Sequence, residues 1–307
     1  MNDRPAALQA TAQAIIAEVG TVVLGKEPVI REALCTVLAG GHLLLEDLPG
    51  LGKTTLAHAL ARVLGLRFRR MQFTADLLPA DILGVSVFET NTREFTFHPG
   101  PIFTEVLLAD EINRAPPKVQ SALLEAMEER QVTIEGKRYA LPAAFFVIAT
   151  QNPSFQQGTY PLPESQLDRF ALVSHLGYPA AAVERAMLKG EGGRAHLTDL
   201  NPLLDAQRLL NMRQQVGKVH VSERVIDYVQ QLLQASRSHP ESAPGLSPRA
   251  GLMLLNLARA WAYIDQRDHV LPDDVQAVFP GLANHRLNAR NATASIARDL
   301  LQAVTPA

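Results

Sequence analysis

A glycine-rich turn near residue 50 carries the residue types that bind phosphate. Apolar residues 42–46 precede the turn and helix-forming residues 56–61 follow it, so it joins a strand to the start of a helix. Gly50 and Gly52 let the backbone approach an anion, while N–H groups at the helix start and the Lys53 ammonium face the β- and γ-phosphates of a nucleotide. The candidate contact residues are Pro49, Gly50, Leu51, Gly52, Lys53, Thr54 and Thr55.

The turn departs from the general phosphate-loop pattern at one position. In G-x-x-x-x-G-K-[ST] the first residue is glycine, whereas this chain has Asp47. The order of strand, loop and helix still favours nucleotide binding over a chance glycine turn at a helix start. In such a loop, the Thr54 hydroxyl is expected to bind a magnesium ion.

Two acidic residues and an amide follow apolar runs later in the chain. Asp110 and Glu111 close the run 106–109, and Asn152 comes after the run 144–150. Open α/β sheets place ligands at the carboxyl ends of their strands, so we expect these side chains beside the phosphate loop. Asp110 suits magnesium binding, Glu111 can polarise a water for attack on a γ-phosphate, and Asn152 can contact both water and phosphate. The alternatives are an acidic pair that favours a helix dipole and an asparagine that makes a turn before proline.

Hydrophobic periodicity divides the chain into an α/β part and a helical part. Apolar and alternating runs predict five strands with helices between them, so residues 1–176 form a mainly parallel αβα core. Residues 177–200 have the composition of a linker, and residues 201–307 carry only helical patterns. Two β-hairpins are predicted as insertions in the core, at about 84–98 and about 131–141.

Composition restricts the partners and the compartment. The formal net charge is −2, which gives no electrostatic argument for nucleic acid or for an anionic membrane. Cys35 is the single cysteine and lies in an apolar run, so we expect a buried thiol and no intrachain disulfide. The N-terminal stretch has no continuous apolar segment as long as a signal peptide or a membrane span. These features predict a cytoplasmic protein with no membrane insertion.

Five motifs, in order and in spacing, resemble those of the MoxR-type AAA+ ATPases. They are LLEDLPGLGKT (44–54), QFTADLLP (72–79), LADEINR (108–114), ATQNP (149–153) and SPRA (247–250). The resemblance covers nearly the whole chain. Asp47 is a usual residue at the first loop position in this family, which removes the departure from the general pattern.

The resemblance implies a P-loop AAA+ core, an all-α lid domain, ATP and Mg²⁺ as ligands, and an oligomeric ring that is commonly a hexamer. By themselves, two isolated arginines at 169 and 249 indicate no more than surface charge; the family comparison gives them roles. The implied roles are Walker A for Lys53 and Thr54, Walker B for Asp110 and Glu111, sensor 1 for Asn152, sensor 2 for Arg249, the arginine finger for Arg169 and adenine contact for Val23 and Gly25. Arg114 is a second candidate for the finger.

The resemblance also implies a chaperone-like ATPase that remodels or activates partner proteins, because the family is associated with proteins that carry von Willebrand factor A domains. Two alternatives share the inserted hairpins, namely a nucleic-acid motor and the ATPase subunit of a metal chelatase. The hairpins offer few basic residues and no interleaved aromatic platform, which disfavours the motor. A small-molecule kinase is disfavoured because Asp110, Glu111 and Asn152 are suited to directing water. ATP hydrolysis is the expected reaction.

Overall fold

In the α/β part of the chain, the described residues form nine strands and the helices between them. The computed structural model describes residues 5–91, 93–152, 159–240, 245–287 and 295–306. The elements of this part are α1 (Pro5–Gly20), α2 (Glu27–Leu38), β1 (Leu43–Glu46), α3 (Lys53–Val63), β2 (Phe68–Gln72), α4 (Pro79–Leu83), β3 (Gly84–Glu89), β4 (Glu94–Pro99), β5 (Val106–Asp110), α5 (Pro117–Glu129), β6 (Gln131–Ile134), β7 (Lys137–Ala140), β8 (Phe146–Gln151), α6 (Glu164–Leu167) and β9 (Leu172–Ser174).

A five-stranded parallel sheet forms the centre of this part, with the strand order β2-β5-β8-β1-β9. The side chains of β1 alternate between two hydrophobic clusters, since Leu43 and Leu45 pack in one and Leu44 packs in the other. Both faces of the sheet are therefore covered, which explains why its central strands are continuous apolar runs. The predicted mainly parallel five-stranded α/β core is confirmed.

The carboxyl ends of the central strands meet at one edge of the sheet. The phosphate loop follows β1, Glu111 follows β5, and Asn152 follows β8. Strand β2 lies beside β5 in a register that places Gln72 opposite Asp110. The topology alone thus gathers the candidate functional residues at this edge.

Two antiparallel hairpins project from the core, as predicted. One is formed by β3 and β4, which pair from Gly84 opposite Pro99 to Glu89 opposite Glu94, and the other by β6 and β7. The hairpins contact each other because the Phe97 and Tyr139 rings stack with their centroids 4.1 Å apart.

The remaining described elements are helical. They are α7 (Ala181–Leu188), a 3₁₀ turn (Arg194–Asp199), α8 (Ala206–Val216), α9 (Glu223–Ser238), α10 (Pro248–Ile264), α11 (Pro272–Ala283) and α12 (Ile296–Ala303). Helix α10 begins where the sequence predicts it, because the Ser247 hydroxyl accepts the N–H of Ala250 at 3.1 Å and Pro248 occupies the first turn. The predicted all-helical lid is confirmed.

The segment 177–200 differs from the predicted linker. It contains α7 and the 3₁₀ turn, and its end is fixed to the core because Leu197 and Leu200 are buried in the larger hydrophobic cluster. The Arg62 guanidinium also donates to the carbonyl oxygens of Thr198 and Leu200, at 2.8 and 2.9 Å. Helix α7 is only eight residues long and has no buried residue, and glycines at 190, 192 and 193 follow it, so the composition of this segment favours a linker.

Two observations bear on the expectations from composition. Cys35 is buried and forms no disulfide. Across the described ranges, none of the helices has the length and apolarity needed to cross a bilayer.

Candidate nucleotide site

A cavity of about 500 Å³ opens at the carboxyl edge of the sheet and gathers most of the predicted site residues. Its walls come from the phosphate loop, from β2, from the ends of β5 and β8, and from the segment 177–200. The described lining residues are Pro49, Gly50, Gly52, Lys53, Thr54, Thr55, His58, Phe68, Arg70, Gln72, Asp110, Glu111, Asn152, Arg194 and Leu197. We call it the phosphate-side cavity.

The phosphate loop presents a bare helix start to this cavity. Gly50 and Gly52 have φ values of +87° and +95°, a backbone conformation that favours glycine. Gly52 precedes α3, and no side chain caps the first N–H groups of that helix. These free donors and the positive end of the helix dipole form a binding site for an anion.

Lys53 is buried beneath the loop and is held by oxygen atoms. Its ammonium donates to the main-chain carbonyl of Asp47, to that of Leu48 at 3.3 Å and to Oδ1 of Asn152 at 3.4 Å. Burial lowers the pKa of Lys53, and the neighbouring carboxylates, Asp47 first, act in the opposite direction. A triphosphate at the loop would add negative charge and so favour the charged ammonium.

Asp110 is buried at the end of β5 with both carboxylate oxygens engaged. Oδ1 accepts the Thr150 hydroxyl at 2.6 Å, and Oδ2 accepts Nε and Nη2 of Arg70 at 3.0 and 2.6 Å. The Arg70 guanidinium therefore balances the charge of the predicted magnesium-binding carboxylate. Arg70 was not identified as a site residue from the sequence. Arg70 and Gln72 are two residues apart on β2 and therefore lie on the same face of a strand that pairs with β5, and this alternation is the feature that could have identified Arg70.

The Glu111 carboxylate is fixed by three donors. Oε1 accepts Nδ2 of Asn152 at 3.1 Å, while Oε2 accepts Nε2 of Gln72 at 3.0 Å and Nη1 of Arg114 at 2.9 Å. The Glu111 backbone has φ +56°, which is uncommon for a residue other than glycine and recurs at functional sites. Its N–H donates to the Thr150 hydroxyl at 2.8 Å, which holds this conformation.

Asn152 connects the two halves of the site. Its side-chain amide contacts both Lys53 and Glu111, and its main-chain carbonyl accepts Nδ2 of Asn113 at 3.0 Å. Asn152 is 5% exposed, so its orientation is set by these partners. The next residue, Pro153, lies outside the described residues.

Thr54 and Asp110 are the residues that would hold Mg²⁺. They line one cavity and supply a hydroxyl and a carboxylate oxygen, the hard ligands that this ion prefers. Within the described ranges, no group of three or more His, Cys, Asp or Glu side chains is arranged to hold a metal ion. An ion at such a site takes its other ligands from phosphate and water, and it would neutralise charge on the transferred phosphoryl group.

A second cavity, of about 460 Å³, shares residues of the phosphate loop with the first. The described lining residues are Val22, Val23, Leu24, Lys26, Pro49, Gly50, Leu51, Gly52, Thr55, Tyr178, Pro179, Glu184, Met187, Leu188 and Gly193. Val23 is among them and Gly25 is not, and the adenine contact of both residues stays a prediction. A Cβ atom on Gly25 would be 2.8 Å from a Val183 methyl group, so glycine lets helix α7 pack against the turn before α2.

Arg169 and Arg249 lie apart from both cavities as far as the described lining residues show. Arg169 Nε is 3.0 Å from Glu128 Oε2, and Arg249 Nη1 is 2.8 Å from Glu128 Oε1. Helix α10 thus directs Arg249 toward Glu128 of α5, and its sensor role stays a prediction. Arg114, the other finger candidate, pairs with Glu111 of its own site.

Comparison with known proteins agrees with this fold. A family model described as "ATPase family associated with various cellular activities (AAA)" matches residues 42–172, and an AAA lid domain model matches residues 234–304. The fold and the site define a P-loop protein of the AAA+ class with a helical lid.

Individual relatives specify the family. Chaperone MoxR1 of Mycobacterium tuberculosis is 40% identical over 287 residues, which cover 90% of this chain and 75% of the relative. YeaC of Bacillus subtilis is 43% identical over 272 residues, which cover 89% and 85%. A crystal structure of a protein from Cytophaga hutchinsonii is 37% identical with a TM-score of 0.88 and covers 99% of this chain and 97% of that one. The chain belongs to the MoxR family of AAA+ ATPases.

Proposed function

We propose that this chain binds ATP with Mg²⁺ and hydrolyses it within a hexameric ring in the cytoplasm, and that the cycle remodels or activates partner proteins. The placement of the Glu111 carboxylate carries the proposal. This group is ionisable, is held by three donors, and lines the same cavity as Lys53 and the bare start of helix α3.

Hydrolysis follows from the roles that these groups can take. Lys53 and the free N–H groups bind the β- and γ-phosphates, while Thr54 and Asp110 hold the ion. Glu111 accepts a proton from a water aligned with the γ-phosphate. Asn152 contacts both Glu111 and Lys53, so it is placed to align that water with the phosphate. A kinase would need an acceptor hydroxyl in place of this water.

A ring is supported by the two arginines that lie away from the phosphate loop of their own chain. Arg169 and Arg249 share Glu128, and their side chains are 28% and 53% exposed. A neighbouring subunit seated on this surface would receive both guanidinium groups at its own nucleotide. The arginine-finger role of Arg169 and the sensor role of Arg249 are then exercised across the subunit boundary.

A protein partner is supported by the exposed hairpin formed by β3 and β4. Val85, Val87, Phe88 and Phe95 are each between 42% and 62% exposed, while β3 ends at Glu89 and β4 begins at Glu94. Such an apolar and acidic surface is suited to polypeptide rather than to a phosphate backbone. The relative named Chaperone MoxR1 is consistent with this role, and a protein with a von Willebrand factor A domain is the partner that we favour.

The test separates nucleotide binding from chemistry. Lys53→Ala should abolish tight ATP binding, whereas Glu111→Gln should bind ATP with near wild-type affinity and lose about 10²- to 10⁴-fold in turnover. Lys218→Ala and Glu223→Gln remove the same charges at exposed lid positions and should leave both properties unchanged. With ATP bound, light scattering of Glu111→Gln should give six times the chain mass. Wild-type turnover in Glu111→Gln would refute its role as the base.

A further inference from the structure

The backbone of residues 176–178, which we call the strap, is held from two sides between β9 and α7. The Asp47 carboxylate accepts the N–H of Leu176 and, at 3.2 Å, the N–H of Gly177. The Lys26 ammonium donates to the carbonyl oxygens of all three strap residues, at 2.6, 3.1 and 2.9 Å. Successive peptide groups of the strap are thus fixed by one anion and one cation.

These contacts explain a residue that the phosphate-loop pattern leaves unexplained. Glycine at position 47 would supply neither acceptor, and the two N–H groups would lose their partner. Hydrogen bonds to charged groups are about twice as strong as those between neutral groups, so this half-buried carboxylate orders the strap effectively.

Asp47 also contacts the phosphate-binding lysine, through a different atom. Its main-chain carbonyl accepts the Lys53 ammonium, while its side chain holds the strap. The strap continues through Tyr178 and Pro179 into helix α7, and these residues line the second cavity. Lys26 is itself among the described residues that line the second cavity, whereas Asp47 is absent from the described lining of both cavities, and its carboxylate is connected to the second cavity through the strap.

We propose that Asp47 and Lys26 are positioning residues for the base and sugar of the bound nucleotide. Their hydrogen bonds fix the position of the strap backbone, and the strap in turn positions Tyr178 on one side of the second cavity. Asp47 also connects that side of the cavity to the loop that binds the phosphates. The inference rests on the proposed nucleotide binding and adds to it. It predicts that loss of either residue weakens binding of the base and sugar but leaves binding of the phosphate chain intact.

The experiment compares ATP with tripolyphosphate, which has the phosphate chain but no base or sugar. Calorimetric titration with Mg²⁺ present should show ATP affinity about tenfold lower in Asp47→Gly, the order expected for loss of charge-assisted hydrogen bonds. Tripolyphosphate affinity should stay within about twofold of wild type. Lys26→Met should behave in the same way. Glu191→Gln and Lys189→Met, two exposed charges of the segment 177–200, should match wild type for both ligands.

Two results would overturn the inference. An equal loss of affinity for ATP and for tripolyphosphate would show that Asp47 acts on the phosphate loop itself. Unchanged ATP affinity would show that the strap does not position the base and sugar. If Asp47→Gly lacks the wild-type far-UV circular dichroism, the same comparison is made with Asp47→Asn and Lys26→Met. Failure of the proposed function looks different, since Lys53→Ala would then bind ATP as tightly as wild type.

Discussion

Arg169→Ala should reduce ATP hydrolysis by at least about 10³-fold while leaving ATP binding unchanged. The Arg169 side chain pairs with Glu128 at 3.0 Å and is 28% exposed. A pair of this exposure is worth up to about 1 kcal/mol, so releasing the guanidinium costs little. An arginine finger contributes roughly 10³ to 10⁵ in rate, or about 4 to 7 kcal/mol at 1.36 kcal/mol per decade. The gain at a neighbouring site thus exceeds the cost of leaving Glu128.

The assay is phosphate release as a function of protein concentration. Specific activity of the wild type should rise as rings assemble, and Arg224→Ala, an exposed arginine of α9, should follow the wild-type curve. Mixing inactive Lys53→Ala with inactive Arg169→Ala should restore part of the activity, because some interfaces then combine an intact loop with an intact arginine. Activity that is independent of concentration, together with no rescue in mixtures shown to co-assemble, would refute the reasoning.

Three further predictions concern the sensor arginine, acid stability and the lid. Mixing Arg249→Ala with Lys53→Ala should also restore hydrolysis; no rescue in co-assembled mixtures would place Arg249 outside the neighbour's site. His42 is 6% exposed and accepts the Val147 N–H at 2.9 Å, and burial lowers its pKa to about 3. As the pH falls from about 6.5 to about 3, the imidazole of His42 becomes protonated in the unfolded chain but stays neutral in the folded one. The free energy of unfolding should therefore fall with decreasing pH more steeply in wild type than in His42→Gln, by about 1.4 kcal/mol per pH unit. Equal slopes in urea titrations would contradict this. In the lid, Arg267 donates to the Asp274 carboxylate, which is 2% exposed. Asp274→Ala removes this buried pair and should lower the free energy of unfolding by about 3 kcal/mol. A decrease below about 1 kcal/mol would contradict a stabilising role for the pair.

Elements that are buried along their whole length are the ones that the sequence predicts well. Strand β5 consists entirely of buried residues, and its bounds agree with the apolar run that ends at Asp110. Helix α10 agrees at both ends because Ser247 caps it and its apolar face is long. Helix α7 was missed because it covers one side of a cavity without a buried residue, and Leu188 is 85% exposed.

The candidate site shows the same division between local and long-range information. Convergence of Lys53, Glu111 and Asn152 was predictable because parallel strands bring their carboxyl ends to one edge. Arg70 could be placed only from the register between β2 and β5, which the sequence does not specify. The position of Arg249 depends on how the lid packs against α5, and a helix pattern contains no information on that contact.

Hydrolysis by water at Glu111 is tested most directly by isotope incorporation. Wild-type chain is incubated with ATP and Mg²⁺ in ¹⁸O-labelled water, and the released phosphate is analysed by mass spectrometry beside Lys53→Ala and Glu111→Gln. Phosphate released by the wild type should carry ¹⁸O, and release from both variants should be lower by about 10²-fold or more. Labelled phosphate from Glu111→Gln at the wild-type rate, or none from the wild type above the Lys53→Ala background, would contradict it.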